Sequence, residues 1–211
     1  VSIAATKSSA GTAVSSGSWS NEGLNFKFTA TVGSCGGTIY YCKDTTNACN
    51  PTKKATSGTA ITDYNTIEGT YYIRYYIKSG AGTPSAVGSY KAMVDATLPT
   101  CGTWHGQSTA WTNQNRTITL DCSDGGSGCA ASNYTVKSYT SGTTKTEKLS
   151  YKIKDNAGNE KTCSTTANIY VDKTPPSIPT VSYNGGSNSC SWKNNYNLTL
   201  SSTDDVSSVT Y

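Results

Sequence analysis

The sequence predicts an all-β protein built from small tandem domains, and two observations support this prediction. Short phrases recur in the same order along the chain, and each is followed by alternating apolar and polar residues, as in a half-buried strand. No long segment has the period of a helix. The phrases are Ser18-Trp19-Ser20-Asn21, Ala110-Trp111-Thr112-Asn113 and Ser191-Trp192-Lys193-Asn194; Val94–Pro99 and Val171–Pro176; and Tyr75–Lys78 and Tyr151–Lys154.

The spacing of the phrases gives the size of the repeat. Asp95 and Asp172 stand 77 residues apart (172 − 95 = 77), and Trp111 and Trp192 stand 81 apart (192 − 111 = 81). Solenoid repeats run to about 50 residues, so these units are better explained as small domains with a core each. We therefore predict one domain over 1–96, a second over 97–174, and the N-terminal part of a third over 175–211.

The first and third units depart from this spacing. Trp19 and Trp111 stand 92 residues apart (111 − 19 = 92), which indicates an insertion in the first unit. The third unit stops partway, so we expect the chain to be an excised piece of a longer array. The alternative is that strands donated by another chain complete the third unit, because unpaired strand edges need a partner.

Each unit contains short strands with one apolar face. Leu24, Phe26 and Phe28 alternate with polar residues in the first unit, and Ile118 and Leu120 do so in the second. A later strand in each unit is followed by a turn and by a last strand that runs into a linker. About seven short strands per unit predict a β-sandwich of immunoglobulin-like type.

The turn and linker phrases of the second unit carry a resemblance to a known family. Asp155-Asn156-Ala157-Gly158-Asn159 before a final strand, then Val171–Pro176, resembles the tandem bacterial Ig-like repeats of large secreted or cell-surface proteins of adhesin or stalk type. The resemblance implies tandem sandwiches joined by short Pro-containing linkers. The first unit departs from the pattern, because Ser79 stands where the acid is expected and Pro99 is its only linker proline.

The cysteine content predicts the compartment. Eight cysteines in a β protein indicate disulfides and an oxidising environment. Zinc is the other common explanation for such a content. It fits poorly here, because His105 is the only histidine and the chain has no two closely spaced Cys-x-x-Cys elements.

Cysteine positions suggest pairings within units. We expect Cys42 and Cys49 to staple the inserted loop of the first unit. In the second unit we expect Cys101–Cys122, through the register of a hairpin, and Cys129–Cys163. Cys35 is then a buried free thiol, with a bond to another chain or to Cys190 as the alternative, and Cys190 has no assigned partner.

Several function classes are excluded by composition. Nucleophilic catalysis needs a base beside the nucleophile, and His105 is the only histidine for that role, so we predict no enzyme. Clustered acids such as Asp204-Asp205 follow strands, where turn formation explains them. A net charge of +4 without a basic stripe gives no reason to expect nucleic acid. No membrane span is predicted.

Calcium is the one cofactor that the sequence leaves open. Asp121, Asp124, Asp155 and Asp172 fall in places that would lie near domain junctions, and calcium prefers oxygen ligands. The alternative is that these aspartates accept hydrogen bonds within their own turns. An internal Lys–Asn or Lys–Asp isopeptide bond, which occurs in similar Gram-positive domains, is not expected, because Lys27 alternates against the apolar face.

Aromatic residues suggest where a ligand would bind. Trp19, Trp111 and Trp192 recur at one place in each unit, which favours packing over binding. Better candidates for ligand contact are unrepeated and lie on loops or loop borders, where binding usually resides. They are Trp104, His105, Tyr40 and Tyr41, together with the Cys42–Cys49 loop.

These features predict a non-catalytic extracellular segment of a bacterial surface or secreted protein. Its domains would form a rod-like spacer, since short Pro-containing linkers are semi-rigid, and its partners would be neighbouring repeats of the same chain. The alternatives are a module that binds a glycan or host surface protein directly, and an Ig-like surface protein of a phage or virion.

Overall fold

A computed structural model describes residues 1–32, 36–145, 148–165, 169–183, 198–204 and 206. Strands, isolated bridges and turns account for the regular structure of these residues, and no helix occurs among them. The predicted all-β class is therefore confirmed. Cys35, Cys190 and Trp192 lie outside the described residues. Within the described part of the chain, no helix is long and apolar enough to cross a membrane.

The chain divides into two compact units that are not contiguous in sequence. Unit 1 comprises Val1–Gly102, Cys122–Ser132 and Lys152–Thr162, and unit 2 comprises Thr103–Asp121, Asn133–Tyr151 and Cys163–Tyr211. Two loops of the second predicted domain thus belong to the same compact unit as the first predicted domain. The predicted domains 1–96, 97–174 and 175–211 stay a prediction.

Unit 1 is a β-sandwich of two sheets. Its sheets have the strand orders β2-β1-β4-β7 and β3-β9-β8-β5-β6. The strands are β1 (Ser2–Lys7), β2 (Ala13–Val14), β3 (Trp19–Ser20), β4 (Leu24–Thr29), β5 (Gly37–Asp44), β6 (Lys53–Ala55), β7 (Ala60–Ile61), β8 (Gly69–Ser79) and β9 (Gly88–Val94).

The core of unit 1 forms where the apolar faces of its two sheets meet. Phe26 on β4 packs edge-to-face against Tyr71 of β8 and Tyr90 of β9, with ring centroids 6.2 and 5.5 Å apart. Alternation along β4 buries Leu24, Phe26 and Phe28 completely, as the pattern of the strand predicts. Burying these apolar side chains stabilises the folded sandwich.

The remaining strands form smaller sheets, with orders β10-β11-β12, β13-β16, β14-β15 and β17-β18. A second core cluster contains Ile118, Tyr139, Leu149, Ile169 and Val171. The strands are β10 (Thr100–His105), β11 (Arg116–Ser123), β12 (Asn133–Tyr139), β13 (Thr143–Lys145), β14 (Ser150–Lys154), β15 (Glu160–Ser164), β16 (Tyr170–Asp172), β17 (Thr180–Tyr183) and β18 (Leu198–Ser201).

The buried phenols of unit 1 make its stability sensitive to alkaline pH. Burial raises the pKa of Tyr71 and of Tyr90 to about 12, from an ordinary value of 10.0. Well below pH 10 both phenols are protonated in the folded and the unfolded chain. Between about pH 10 and pH 12 the unfolded chain loses these protons first, so unfolding becomes progressively more favourable.

We therefore predict that the urea midpoint of unit 1 falls as the pH rises through this window. The Tyr71→Phe variant removes one of the two phenols and keeps the ring, so its midpoint should fall less steeply over the same range. Urea titrations followed by circular dichroism at successive pH values measure both slopes. Equal slopes for the two proteins would contradict the assignment to Tyr71.

Candidate functional site

The segment that leaves β9 is held by a buried carboxylate. Asp95 is only 3% exposed, and its amide donates to the carbonyl oxygen of Ser20 at 2.9 Å. Its Oδ1 accepts the amide of Thr97 at 3.0 Å, which closes a local turn, and its Oδ2 accepts the amide of Ser127 at 2.6 Å. Asp95 thus ties the first linker to a loop that follows β11.

Asn159 holds the same linker from a second loop. Its Nδ2 donates to the carbonyl oxygens of Asp95 and Thr97, at 2.7 and 3.0 Å, and to Oδ2 of Asp155 at 2.7 Å. The Asn159 side chain is buried, so its amide group depends on these acceptors for hydrogen bonds. We call Asp95, Ser127, Asp155 and Asn159 the linker clamp.

The segment Asp155–Asn159 forms a tight turn, which explains the spacing of its acid, glycine and amide residues. Oδ1 of Asp155 accepts the amides of Gly158 and Asn159, at 2.6 and 2.8 Å, and Asp155 is 1% exposed. Gly158 has a φ of +100°, which favours glycine. The turn places the Asn159 amide group against the linker.

The other loop of the clamp is closed by a disulfide between Cys122 and Cys129, whose Cα atoms are 6.1 Å apart. Within it, Oδ2 of Asp124 accepts the amides of Gly126 and Gly128, at 3.2 and 2.7 Å. Gly126 passes so close to Asp95 that an added Cβ would lie 2.4 Å from its Oδ2. A side chain at position 126 would therefore displace the linker.

The predicted pairing Cys101–Cys122 and Cys129–Cys163 is wrong. Because the turn held by Asp124 folds the loop back on itself, Cys129 reaches Cys122 at the end of β11. The predicted pairing was based on which face of a strand each cysteine occupies, and that alternation gives no sign of this turn. Cys101 and Cys163 are also disulfide-bonded, and Cys42 and Cys49 are joined with a Cα–Cα distance of 6.1 Å.

Three carboxylates meet at the clamp. One oxygen each of Asp95, Asp124 and Asp155 lies within 4.8 Å of the other two. Burial raises the pKa of Asp95, but hydrogen bonds from Ser127 and Thr97 outweigh burial and leave that pKa below its ordinary value. Asp95 is therefore ionised at neutral pH, and the site concentrates negative charge on hard oxygen donors.

Of the four aspartates predicted for calcium, the structure brings together Asp124 and Asp155. Asp121 lies elsewhere: its Oδ2 is 2.7 Å from Nε2 of His105, which lowers its pKa, and its Oδ1 accepts Nδ2 of Asn133 at 2.7 Å. Asp172 lies in unit 2. Sequence reasoning missed Asp95 as a member of the site, although its phrase Val-Asp recurs before both linkers.

The residues expected to contact a ligand are divided between the core and the surface. Tyr41 is 6% exposed and packs against Phe28, with ring centroids 5.6 Å apart. Trp104 packs against the core of unit 2. Tyr40 stacks on Tyr76 of β8 at 5.2 Å, and His105 is exposed beside Asp121.

The Cys42–Cys49 loop is docked on its own sheet. The carboxylate of Asp44 accepts the amides of Asn47, Ala48 and Cys49 at 2.7–3.0 Å. Nη1 of Arg74 donates to the carbonyl oxygen of Cys49 at 2.8 Å, and Oγ of Ser89 donates to Oδ1 of Asn47 at 2.7 Å. The loop therefore presents its exposed residues on a held backbone.

Comparison with known proteins adds a likeness of fold alone. No family model matches the chain, and no curated protein matches it. A solved structure of fibronectin(III)-like modules of Clostridium thermocellum CbhA matches with 13% sequence identity and a TM-score of 0.37. That match covers 80% of this chain and 94% of the other.

Removing the Asn159 side chain should loosen the linker. We predict that Asn159→Ala lowers the free energy of unfolding by about 1–3 kcal/mol, because Asp155 and the carbonyl oxygens of Asp95 and Thr97 lose a donor. Thr83→Ala is the matched control, since Thr83 stands four residues after Ser79 as Asn159 does after Asp155, and its amide donates to Oγ of Ser79.

Chemical denaturation measures the stabilities, and amide hydrogen exchange at Asp95 and Thr97 measures the linker directly. Faster exchange at these two amides is expected in Asn159→Ala and not in Thr83→Ala. Unchanged exchange in both variants would show that Asn159 does not hold the linker.

Proposed function

We propose that this chain is a non-catalytic structural or adhesive repeat segment of an extracellular protein, and that it acts as a spacer. The linker clamp carries this proposal. A linker whose backbone is bound by two loops of the following repeat is restricted to fewer conformations than a free linker. A spacer needs such a semi-rigid linker. The prolines of the short linkers restrict the backbone further, because proline fixes its own φ angle.

The cysteines support an extracellular location. Cys42, Cys49, Cys101, Cys122, Cys129 and Cys163 are all disulfide-bonded. Disulfides persist in oxidising compartments and are rare in reducing ones. A secreted or surface-exposed protein is therefore favoured over one that is assembled and kept in a reducing cytosol, which also makes a phage or virion protein the less natural alternative.

Direct recognition of a glycan or host surface protein is the second candidate function. The docked Cys42–Cys49 loop favours it, because a loop held in one conformation loses little entropy on binding. Its residues Thr45, Thr46, Asn47 and Ala48 are exposed. In this alternative the first unit is a recognition module as well as a part of the array.

A binding screen separates the two functions. The chain would be tested on glycan and surface-protein arrays, beside a variant in which residues 43–48 are replaced by a short turn. We expect the variant and the parent to bind alike, since a spacer does not need this loop. A specific hit that disappears in the loop variant, while both proteins stay folded, would contradict the spacer function and support direct recognition through the loop.

We also propose calcium as a ligand of Asp95, Asp124 and Asp155. The donor set fits, because calcium is a hard cation that takes oxygen ligands. Three carboxylate oxygens within 4.8 Å of one another repel, and a divalent cation would offset that repulsion. A bound ion would join the linker to both loops of the clamp and would stiffen the spacer.

Calcium should therefore stabilise the folded chain. At a free concentration about 100 times the dissociation constant, binding adds about 2.7 kcal/mol to the free energy of unfolding. Thermal melts with calcium chloride and with EDTA measure this shift, and Asp124→Asn should abolish it. Asp121→Asn, outside the site, should keep it. A shift that persists in Asp124→Asn, or no shift in the parent, would contradict a site at the clamp.

A further inference from the structure

We propose that unit 2 carries a binding groove for a neutral oligosaccharide beside Trp111. The proposal goes beyond the spacer function and does not depend on it. The groove is lined by Trp111, Asn113, Asp172, Lys173, Thr174 and Asp204. It combines one aromatic wall with several polar side chains, which is the composition of sites that bind small polar ligands.

Trp111 is held in place at the wall of the groove. Its ring meets the ring of Tyr170 edge-to-face, with centroids 5.0 Å apart and an interplanar angle of 76°. The following residue, Thr112, accepts the amide of Asp172 at 2.9 Å through its carbonyl oxygen. A fixed, half-buried indole offers an apolar face to the C–H groups of a sugar ring without an entropic cost of ordering it.

Asp172 supplies a hydrogen-bond acceptor that the described residues do not use. The residue is only 9% exposed. Its Oδ1 accepts Oγ1 of Thr143 at 2.9 Å and the amide of Thr174 at 3.0 Å. None of the residues that the structure describes donates a hydrogen bond to its Oδ2. Because this oxygen is not enclosed by the protein, it is open to the groove, where a sugar hydroxyl is a donor that fits it.

The charges along the groove favour a neutral ligand. Asp172 and Asp204 contribute two negative charges against the single positive charge of Lys173. The Lys173 ammonium group is itself turned to Oδ1 of Asn115, to which it donates at 2.6 Å. An acidic glycan would therefore meet a net negative wall, whereas a neutral sugar offers hydroxyl donors to the carboxylates.

Unit 1 provides a matched control within the same molecule. A groove beside Trp19 is lined by Glu68, Asp95 and Gly126 among others, so it has the same tryptophan and aspartate. There, Oδ1 of Asp95 accepts the amide of Thr97 and Oδ2 accepts that of Ser127. Because both oxygens are used, the Trp19 groove lacks the open acceptor, and we do not expect it to bind sugar.

Native gel electrophoresis of the whole chain tests the groove. Gels would contain hydroxyethylcellulose, galactomannan, arabinoxylan or dextran, each with and without EDTA. We expect retardation by at least one of these matrices in the presence of EDTA. Asp172→Asn should weaken the affinity about tenfold or more, the effect of losing a hydrogen bond to a charged group, and Trp19→Ala should leave it unchanged.

Trp111→Ala removes the aromatic wall and should abolish retardation. Two further measurements keep the test decisive if this variant does not fold. Asn113 is exposed, so Asn113→Ala should fold and still weaken retardation. A variant with Phe in place of Trp19, Trp104 and Trp192 keeps Trp111 as its only indole. An oligosaccharide of the polysaccharide that retards the chain should change the fluorescence of this variant.

Three results would overturn the proposal. The first is no retardation by any matrix while the protein is folded. The second is retardation that Asp172→Asn and Asn113→Ala leave unchanged. The third is a calcium-dependent thermal shift that Asp172→Asn abolishes, without retardation in any gel, which would assign the groove to a cation.

Discussion

The buried carboxylate of Asp95 is the constraint on which the first linker depends. A buried charge is tolerated only when it is paired or fully hydrogen-bonded, and Asp95 draws its partners from separate parts of the chain. Thr97 and Ser127 donate to its oxygens, and Asn159 donates to its carbonyl group. The linker and the two loops therefore have to be in place together, and disturbing one of them exposes the others.

One backbone frame recurs with different side chains. The amide of Asp172 donates to Thr112 as that of Asp95 donates to Ser20, both at 2.9 Å. In the turn after β8, Gly82 has a φ of +92°, as Gly158 has +100° in the turn after β14. The acid and amide of the second turn are replaced by Ser79 and Thr83 in the first. The backbone hydrogen bonds and turn glycines therefore recur at the ends of the repeats, whereas the side chains that make the contacts there differ.

The short disulfides act on loop shape more than on overall stability. Cys42–Cys49 and Cys122–Cys129 each span a sequence separation of seven residues. A bond that closes so short a loop removes less entropy from the unfolded chain than one that closes a long loop. One of these bonds shapes the loop docked on β8 and β9, and the other shapes the loop that holds Asp95. Both place polar groups where the sheets alone would not.

The sequence by itself determined the all-β class and the repeat, because alternation and recurrence are local properties that survive without knowledge of contacts. The burial of Phe26 and Phe28, and the glycine of the Asp155–Asn159 turn, followed from the same local rules. Only the tertiary structure decided the disulfide partners of Cys122 and Cys129, the burial of Tyr41, and the meeting of Asp95 with Asp124 and Asp155. These features depend on how separate loops fold back on one another. The alternation of side chains along a single strand carries no information about how loops pack.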